Sequence, residues 1–193
     1  MTAAPGVEAI GATMLAVRLA ARAVGPSWTL VLVADADQPA RCAQLVADEL
    51  DGMLDPEVPV VVRTDEGLEA ALRSAPTAVL LWAPVELDAQ RLERGRSRLA
   101  HAQPVVAFLR ESAARQLSSH MRSWIGASIV RWQDEPNAEE VRSARLLELQ
   151  TSYAMSNDHV VRLAESGELP PEPHFAEWLV LLGRGSLVGG VAS

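Results

Sequence analysis

The 193-residue chain contains no lysine, so all 17 of its Lys+Arg positions are arginine. This absence excludes a Schiff-base lysine, a lysine general base and a lysine that binds nucleotide phosphates. The single cysteine, Cys42, excludes an intramolecular disulfide and a zinc site made of several thiolates. Its place in an apolar helical pattern predicts a core residue. Several common catalytic and metal-binding arrangements are therefore excluded by composition alone.

The formal net charge of -8 predicts that the chain does not bind nucleic acid, because phosphate contacts dominate that kind of affinity. The arginines from Arg91 to Arg98 are a local exception, but Glu86, Asp88 and Glu93 stand beside them. Such a mixture of charges is typical of a solvated helix face. The same helix is also a second candidate for contacts with a partner protein.

The apolar stretch from Val7 to Val24 is interrupted by Glu8, Arg18 and Arg22. It is too polar for a membrane span, and no basic segment of a signal peptide precedes it. We therefore expect a cytoplasmic protein that does not contact a membrane. Arginine without lysine, together with abundant alanine and leucine, predicts a GC-rich bacterial genome as its source.

Short apolar runs alternate with helical segments as far as Trp132. The predicted strands are Trp28–Val33, Val58–Val62, Thr77–Trp82, Pro104–Leu109 and Ala127–Trp132. The predicted helices around them are Val7–Val24, Gln38–Leu50, Asp65–Ser74, Glu86–Ala100 and Ser112–Trp124. Continuous apolar runs are typical of parallel strands that are buried on both faces. The pattern predicts an α/β fold, a doubly wound three-layer sandwich with a five-stranded, mainly parallel sheet. Pro59 limits the second run to an edge position or to the start of a strand.

The pattern changes after Trp132, where strands are replaced by helices. The predicted helices are Asn137–Gln150, Ser156–Glu165 and Phe175–Leu182, and Asn137 with Glu140 resembles a capping box. We therefore predict an α/β core over residues 1–135. Residues 136–193 are predicted to form a helical extension that packs on the core or on a partner.

The segment from Val7 to Trp132 resembles the P-loop ATPases of the AAA+ and STAND type. The similarity rests on the order helix, apolar strand, loop and helix, with the loop at Ala34–Ala43 and an Ala/Glu/Leu-rich stretch at Gln44–Leu50. In that class the loop is rich in glycine and contains a phosphate-binding lysine. This chain has no glycine between Ser27 and Asp51, and it has no lysine.

Other elements of that class are also missing. Asp35 and Asp37 would repel a phosphate, and Trp82 and Ala83 stand where the resemblance implies the carboxylate that holds Mg²⁺. Arg41 is a remaining cation, and residual nucleotide binding through it stays open. The resemblance implies an inactive relative without a cofactor, which serves as an adaptor or structural subunit of a bacterial multi-protein conflict or signalling system.

Two other resemblances stay open as alternatives. A receiver domain has the same alternation, but this chain lacks its phosphoacceptor Asp and its lysine, so it would be a regulatory module that is not phosphorylated. TIR domains cleave or sense nucleotides with a helical Glu, for which Glu86 and Glu93 are the candidates. The histidines lack metal-ligand spacing, so we predict no metal site and no catalytic residues.

The last predicted helix is apolar on most of its surface, and such a helix must be buried somewhere. It either folds back on its own chain or docks into a partner. Tryptophan is the residue most enriched at the centres of interfaces. The predicted partner-binding residues are Phe175, Trp178, Leu179, Leu181 and Leu182. The expected partner is another protein of the same system or a second copy of the chain.

Overall fold

The structure, a computed structural model, describes residues 8–22, 26–65, 67–86, 101–115, 128–134 and 137–192. These residues contain one sheet of six strands, in the order β1-β6-β2-β5-β4-β3, and every neighbouring pair is parallel. The strands are β1 (Glu8–Ile10), β2 (Trp28–Val33), β3 (Val60–Arg63), β4 (Val79–Trp82), β5 (Val105–Arg110) and β6 (Ser128–Trp132). The predicted α/β class is confirmed, but the sheet has six strands and not five.

Seven α-helices and a terminal 3-10 helix lie in the described part of the chain. They are α1 (Ala12–Ala21), α2 (Pro39–Leu50), α3 (Leu68–Ser74), α4 (Glu111–Ala114), α5 (Ala138–Tyr153), α6 (Asn157–Ser166) and α7 (Pro173–Leu181), followed by the 3-10 helix Gly185–Ala192. Most begin and end within a few residues of the predicted bounds. The predicted segment 87–100, with Glu93 and the arginines from Arg91 to Arg98, lies outside the described residues. So does 116–127, which includes most of the helix predicted to begin at Ser112.

The sheet is buried on both faces, as its continuous apolar runs predicted. All four residues of β4 and the first five of β5 are buried. Val31 and Val33 of β2 pack in a core with α1 and α2, whereas Trp28 and Leu30 pack in a second core with α3. Alternate residues of one strand therefore supply two cores, which makes the protein a three-layer, doubly wound sandwich.

The sixth strand corrects the prediction of one helix from Val7 to Val24. The structure has a three-residue strand, β1, that pairs with β6, and Ile10 accepts a hydrogen bond from the backbone N–H of Gln133 at 2.9 Å. A run this short cannot show a period of two, so the sequence pattern merged it with the helix that follows. The added strand covers the free edge of β6.

Of the positions that Pro59 allowed for the second apolar run, the described sheet has the edge position, with Pro59 just before the strand. The corresponding strand, β3, pairs only with β4 and stands at the end of the strand order. Pro59 lies immediately before β3, and its carbonyl accepts a hydrogen bond from the backbone N–H of Val79 at 2.9 Å. Proline has no backbone N–H to donate to a sheet, and such a residue is tolerated at the start of an edge strand.

The C-terminal helices are well delimited by local hydrogen bonds. Asn137 caps α5, its Oδ1 accepting from the backbone N–H of Glu139 at 3.0 Å, and Ser156 caps α6. Gly167 ends α6 in the left-handed conformation, with φ of 73°. These helices share a third, smaller core, which contains Leu149, Val160, Leu169, Phe175, Trp178 and Leu179. Val180 of α7 belongs to the core of α1 and α2, so the extension is packed on the sheet domain.

Candidate functional site

Ligands of doubly wound proteins bind beyond the carboxyl ends of the strands, where neighbouring strands lead to helices on opposite faces. In this sheet β2 and β5 are neighbours. The helix after β2, α2, packs in the first core, whereas Ala114 of α4, which follows β5, packs against the second. The crevice between the ends of β2 and β5 is therefore where the fold would place a ligand.

That crevice is bridged by a hydrogen-bonded carboxylate. Oδ1 of Asp35, just after β2, accepts from the Ser112 hydroxyl at 2.6 Å and from the Ser112 backbone N–H at 3.0 Å. These two bonds hold the pKa of the Asp35 carboxyl below its ordinary value, and the hydroxyl bond contributes the larger part. The Ser112 N–H lies in the first turn of a helix, where a phosphate would otherwise accept it. The Asp35 carboxylate therefore uses both of these Ser112 donors.

A second bridge lies beside the first one. The Nε of Arg131, on β6, donates to Oε1 of Glu111 at 2.8 Å, so the end of β5 is also tied to β6. Both side chains are partly exposed, so this ion pair adds little stability. Together the two bridges connect β2, β5 and β6 at their carboxyl ends by contacts within the chain. Sequence reasoning identified Asp35 but missed Ser112, Glu111 and Arg131.

The turn after β2 also lacks the donors of a phosphate loop. The backbone N–H of Asp37 is bonded to the carbonyl of Ala34 at 3.0 Å, and α2 then begins with Pro39, which has no N–H. A phosphate loop needs several free backbone N–H groups that point toward one anion. Arg41 is exposed on the first turn of α2. It remains a cation near this edge, without a surrounding ring of backbone donors.

The end of β4 is apolar where a metal-binding carboxylate would be needed. Trp82 is buried in the second core, and Ala83 is buried with its N–H bonded to the carbonyl of Arg63 at 2.8 Å. Glu86 is exposed three residues further on. Glu93, the other acid that a TIR-like reading would use, lies outside the described residues. No group of three or more metal-ligating side chains occurs in the described ranges.

Cys42 is a core residue, as predicted. It is buried against the first core, and this burial raises the pKa of its thiol to about 11. A thiol that stays protonated at neutral pH is a weak nucleophile. Cys42 therefore contributes to packing and offers no thiolate for chemistry.

The residues predicted to bind a partner are buried or half-buried within the protein. Phe175, Trp178 and Leu179 are buried in the third core, and Leu181 and Leu182 are half-buried against it. The Nε1 of Trp178 donates to Oδ1 of Asn157 on α6 at 2.9 Å. The sequence left open whether α7 folds back on its own chain or docks into a partner, and in the structure α7 packs on its own chain. Contact of these residues with a partner stays a prediction, and for Trp178 it would require α7 to move.

Ion pairs fix the extension to itself and to α2. Arg145 on α5 binds both carboxylate oxygens of Glu177 on α7, at 2.7 and 2.9 Å, and also contacts Glu148. The hydrogen bonds to Glu177 raise the pKa of Arg145 further above its ordinary value. Arg142 donates to Glu49 on α2 at 2.7 Å. These charges are used internally and give the extension a defined position.

A surface cavity of about 400 Å³ opens between α6 and the turn after α7. Its lining residues are Asn157, Asp158, Val161, Arg162, Leu182 and Arg184. Two of them are arginines, one is an acid and one is an amide, and the two apolar residues, Val161 and Leu182, pack against the third core. Leu182 is the one residue of the predicted partner-binding set that lines this cavity. No sequence pattern points to this cavity, because Arg162 and Arg184 are separated by a linker and a helix.

No protein-family model matches the chain, and neither curated proteins nor solved structures give a significant match. None of the described helices combines the length and the apolar character needed to cross a bilayer.

Proposed function

We propose that the chain is a catalytically inactive relative of the P-loop ATPases of the AAA+ and STAND type. It serves as an adaptor or structural subunit of a bacterial multi-protein system. The observation that carries this proposal is the Asp35 carboxylate on Ser112, because it occupies the crevice in which the fold would hold a nucleotide phosphate. A protein whose own side chain occupies its ligand site keeps the fold but loses the activity that depends on the ligand.

The strand order argues against the receiver-like alternative. When β2 is counted as the first core strand, β6-β2-β5-β4-β3 becomes the order 5-1-4-3-2, with β1 added beside β6. This differs from the Rossmann order 3-2-1-4-5-6 and from the flavodoxin-like order 2-1-3-4-5 of a receiver domain. The strand order therefore disfavours the receiver-like alternative, which would need the order 2-1-3-4-5.

The charges around the crevice also argue against a bound nucleotide. Asp35 and Asp37 bring negative charge to the end of β2, and Pro39 removes one backbone donor from the start of α2. Arg41 adds a positive charge on α2 and Arg115 lies 4.0 Å from Asp35, but neither restores the backbone donors of a phosphate loop. A triphosphate placed here would have to displace the Asp35–Ser112 bonds and would meet two carboxylates, which disfavours its binding.

Thermal unfolding in the presence of Mg-ATP, Mg-GTP and NAD tests the inactive part of this proposal. A ligand present at a hundred times its Kd stabilises a protein by about 2.7 kcal/mol, which a melting curve detects readily. We expect no shift of Tm and no product by mass spectrometry. A clear shift with a nucleoside triphosphate, or cleavage of NAD, would overturn the proposal.

Native mass spectrometry of the tagged chain, purified gently from its own host, tests the adaptor part. We expect a second polypeptide, or a second copy of the chain, at fixed stoichiometry. The Asp35→Asn variant should retain that assembly, because the proposed partner contacts lie away from the sheet edge. A monomer that carries a bound small molecule would contradict the adaptor reading.

A further inference from the structure

The surface cavity beside α6 presents mostly hydrogen-bond donors. Arg162 stands on α6 and Arg184 follows α7, and both side chains are exposed. Within the part of the chain that the structure describes, neither guanidinium forms an ion pair. By contrast Arg18, Arg131 and Arg145 each pair with a carboxylate of the same chain. In a protein of net charge -8, two unpaired arginines at one cavity form a local reversal of sign.

The position of Arg184 is fixed by its backbone. Its N–H donates to the carbonyl of Leu179 at 2.8 Å, and the N–H of Gly183 donates to Val180 at 2.9 Å. Gly183 has φ of 69°, so these two bonds form a Schellman turn that ends α7. On the other side, a Cβ at Gly185 would lie 2.7 Å from the carbonyl oxygen of Met53. The turn that carries Arg184 is therefore held between α7 and the loop after α2.

The orientation of Asn157 is fixed as well. The indole N–H of Trp178 can only donate, so the amide oxygen of Asn157 must face it, and the contact is 2.9 Å long. The amide nitrogen, with its two N–H groups, is then left for another partner. The cavity thus combines two guanidinium groups and one amide donor with a single acid, Asp158. Such a set is suited to a ligand that is anionic and rich in acceptors.

We propose that this cavity binds an acidic peptide segment of the partner protein, with its carboxylates on Arg162 and Arg184. This inference rests on the proposed adaptor function. Guanidinium groups bind carboxylates through two parallel hydrogen bonds, and Val161 and Leu182 offer apolar surface for a neighbouring side chain. Asp158 accepts a backbone N–H of the peptide and lowers the affinity for a dianion such as phosphate, which has no N–H to donate.

Fluorescence anisotropy with the full-length chain tests this proposal directly. The probe is the fluorescein-labelled peptide Gly-Glu-Glu-Leu-Glu-Glu-Gly, and the matched probe has Gln in place of each Glu. We expect the acidic probe to bind and the Gln probe not to bind. Because the chain as a whole is acidic, general charge attraction does not favour the acidic probe. Equal binding of both probes, or binding of neither, would overturn the proposal.

Variants then locate the site. The double substitution Arg162→Gln and Arg184→Gln should weaken binding by about tenfold or more, since two charge-assisted contacts are lost. Arg73→Gln, at an exposed arginine on α3, removes one positive charge, as each single substitution at Arg162 or Arg184 does, and should leave binding unchanged. Asp158→Asn should strengthen binding a few-fold, by about 2–5 times, because it removes a repelling charge. A double variant that binds as well as Arg73→Gln would contradict the assignment.

Two further arms separate the possible outcomes. Inorganic phosphate should compete only weakly with the acidic probe. If phosphate displaced the labelled probe at a lower concentration than the unlabelled acidic peptide does, the peptide assignment would be overturned in favour of a phosphate site. Native mass spectrometry of the double variant from its host distinguishes the two proposals. An intact complex with lost peptide binding means that the adaptor function holds and that this cavity does not carry it. Loss of the complex together with peptide binding supports both.

Discussion

The sheet edge and the C-terminal extension use their charged side chains in opposite ways. At the sheet edge, Asp35 and Glu111 are satisfied by Ser112 and Arg131 of the same chain, so the position where the fold would hold a ligand is internally bridged. In the extension, Arg145 and its partners build a rigid support, and the cavity beside it leaves two arginines open. Under the proposed function, recognition takes place at the added helices and not at the sheet edge.

The support under the cavity is an apolar core, whereas the bridges at the sheet edge are polar and exposed. Trp178 is fully buried, but the Asp35 and Arg131 side chains are about half exposed. Apolar burial contributes more free energy than exposed ion pairs do. Substitutions should therefore have large effects on stability in the extension and small effects at the sheet edge.

The largest effect is expected for Trp178→Ala. Removal of a fully buried aromatic side chain leaves a cavity and should lower the free energy of unfolding by about 3–5 kcal/mol. Urea denaturation followed by circular dichroism measures this. Leu147→Ala on α5, where the side chain is 64% exposed, is the control and should stay within about 0.5 kcal/mol of the wild type. Equal stability of the two variants would mean that α7 is not docked on its own chain.

Arg145→Met should have the next largest effect. It keeps the apolar stem but leaves the carboxylate of Glu177, whose side chain is only 13% exposed, without its partner. A loss of about 2 kcal/mol is expected from stranding that charge. Arg73→Met on the exposed face of α3 is the matched control. The double variant Arg145→Met with Glu177→Gln should recover part of the loss, and a strictly additive result would rule out the coupling.

At the sheet edge, Asp35→Asn should have a smaller effect that depends on pH. The pKa of the Asp35 carboxyl is lower in the folded chain than in the unfolded one, because of its bonds to Ser112. Such a group stabilises the fold above its unfolded pKa, and that stability is lost as the pH falls through the folded pKa. The variant should therefore be less stable than the wild type at neutral pH. The two denaturation curves should begin to converge as the pH falls below about 3.9, and they should meet only below the folded pKa.

The exposed Asp65→Asn serves as the control for this pH series, and it should track the wild type throughout. A difference between Asp35→Asn and the wild type that persists unchanged in acid would show that the carboxylate charge is not what the bridge uses.

The smallest effect is expected for Arg131→Gln. The Arg131 and Glu111 side chains are 54% and 30% exposed, so their ion pair should contribute less than about 1 kcal/mol. Added salt should reduce even that difference, because exposed charges are screened. If this variant cost as much as Arg145→Met, the contrast between the two regions would fail.

Local patterns predicted the parts of this fold that local physics determines. The continuous apolar runs at β2, β4 and β5 located buried parallel strands to within two residues, and Asn137 was identified as a helix cap. A strand of three residues, β1, could not be recognised because it is shorter than any period. The order of the strands could not be read from the runs either, because equivalent runs fit several positions in a sheet.

The contacts that define the two sites are not local. Asp35 and Ser112 are 77 positions apart, and nothing in either segment points to the other. The burial of α7 was predicted from its apolar surface, but its location depended on a complementary surface that α5 and α6 provide together. The cavity depends on a turn whose neighbour, Met53, belongs to a distant loop. Chemistry that arises from such distant pairs requires the tertiary structure.

The close approach of Gly185 to Met53 joins the C-terminal extension to the core by a direct backbone contact. Because the turn at Arg184 rests on the loop between α2 and β3, it cannot be pushed inward unless that loop shifts with it. We expect a ligand that displaced this turn to displace the loop before β3 as well. A spectroscopic label at Met53 would report movement of this turn without contacting the ligand.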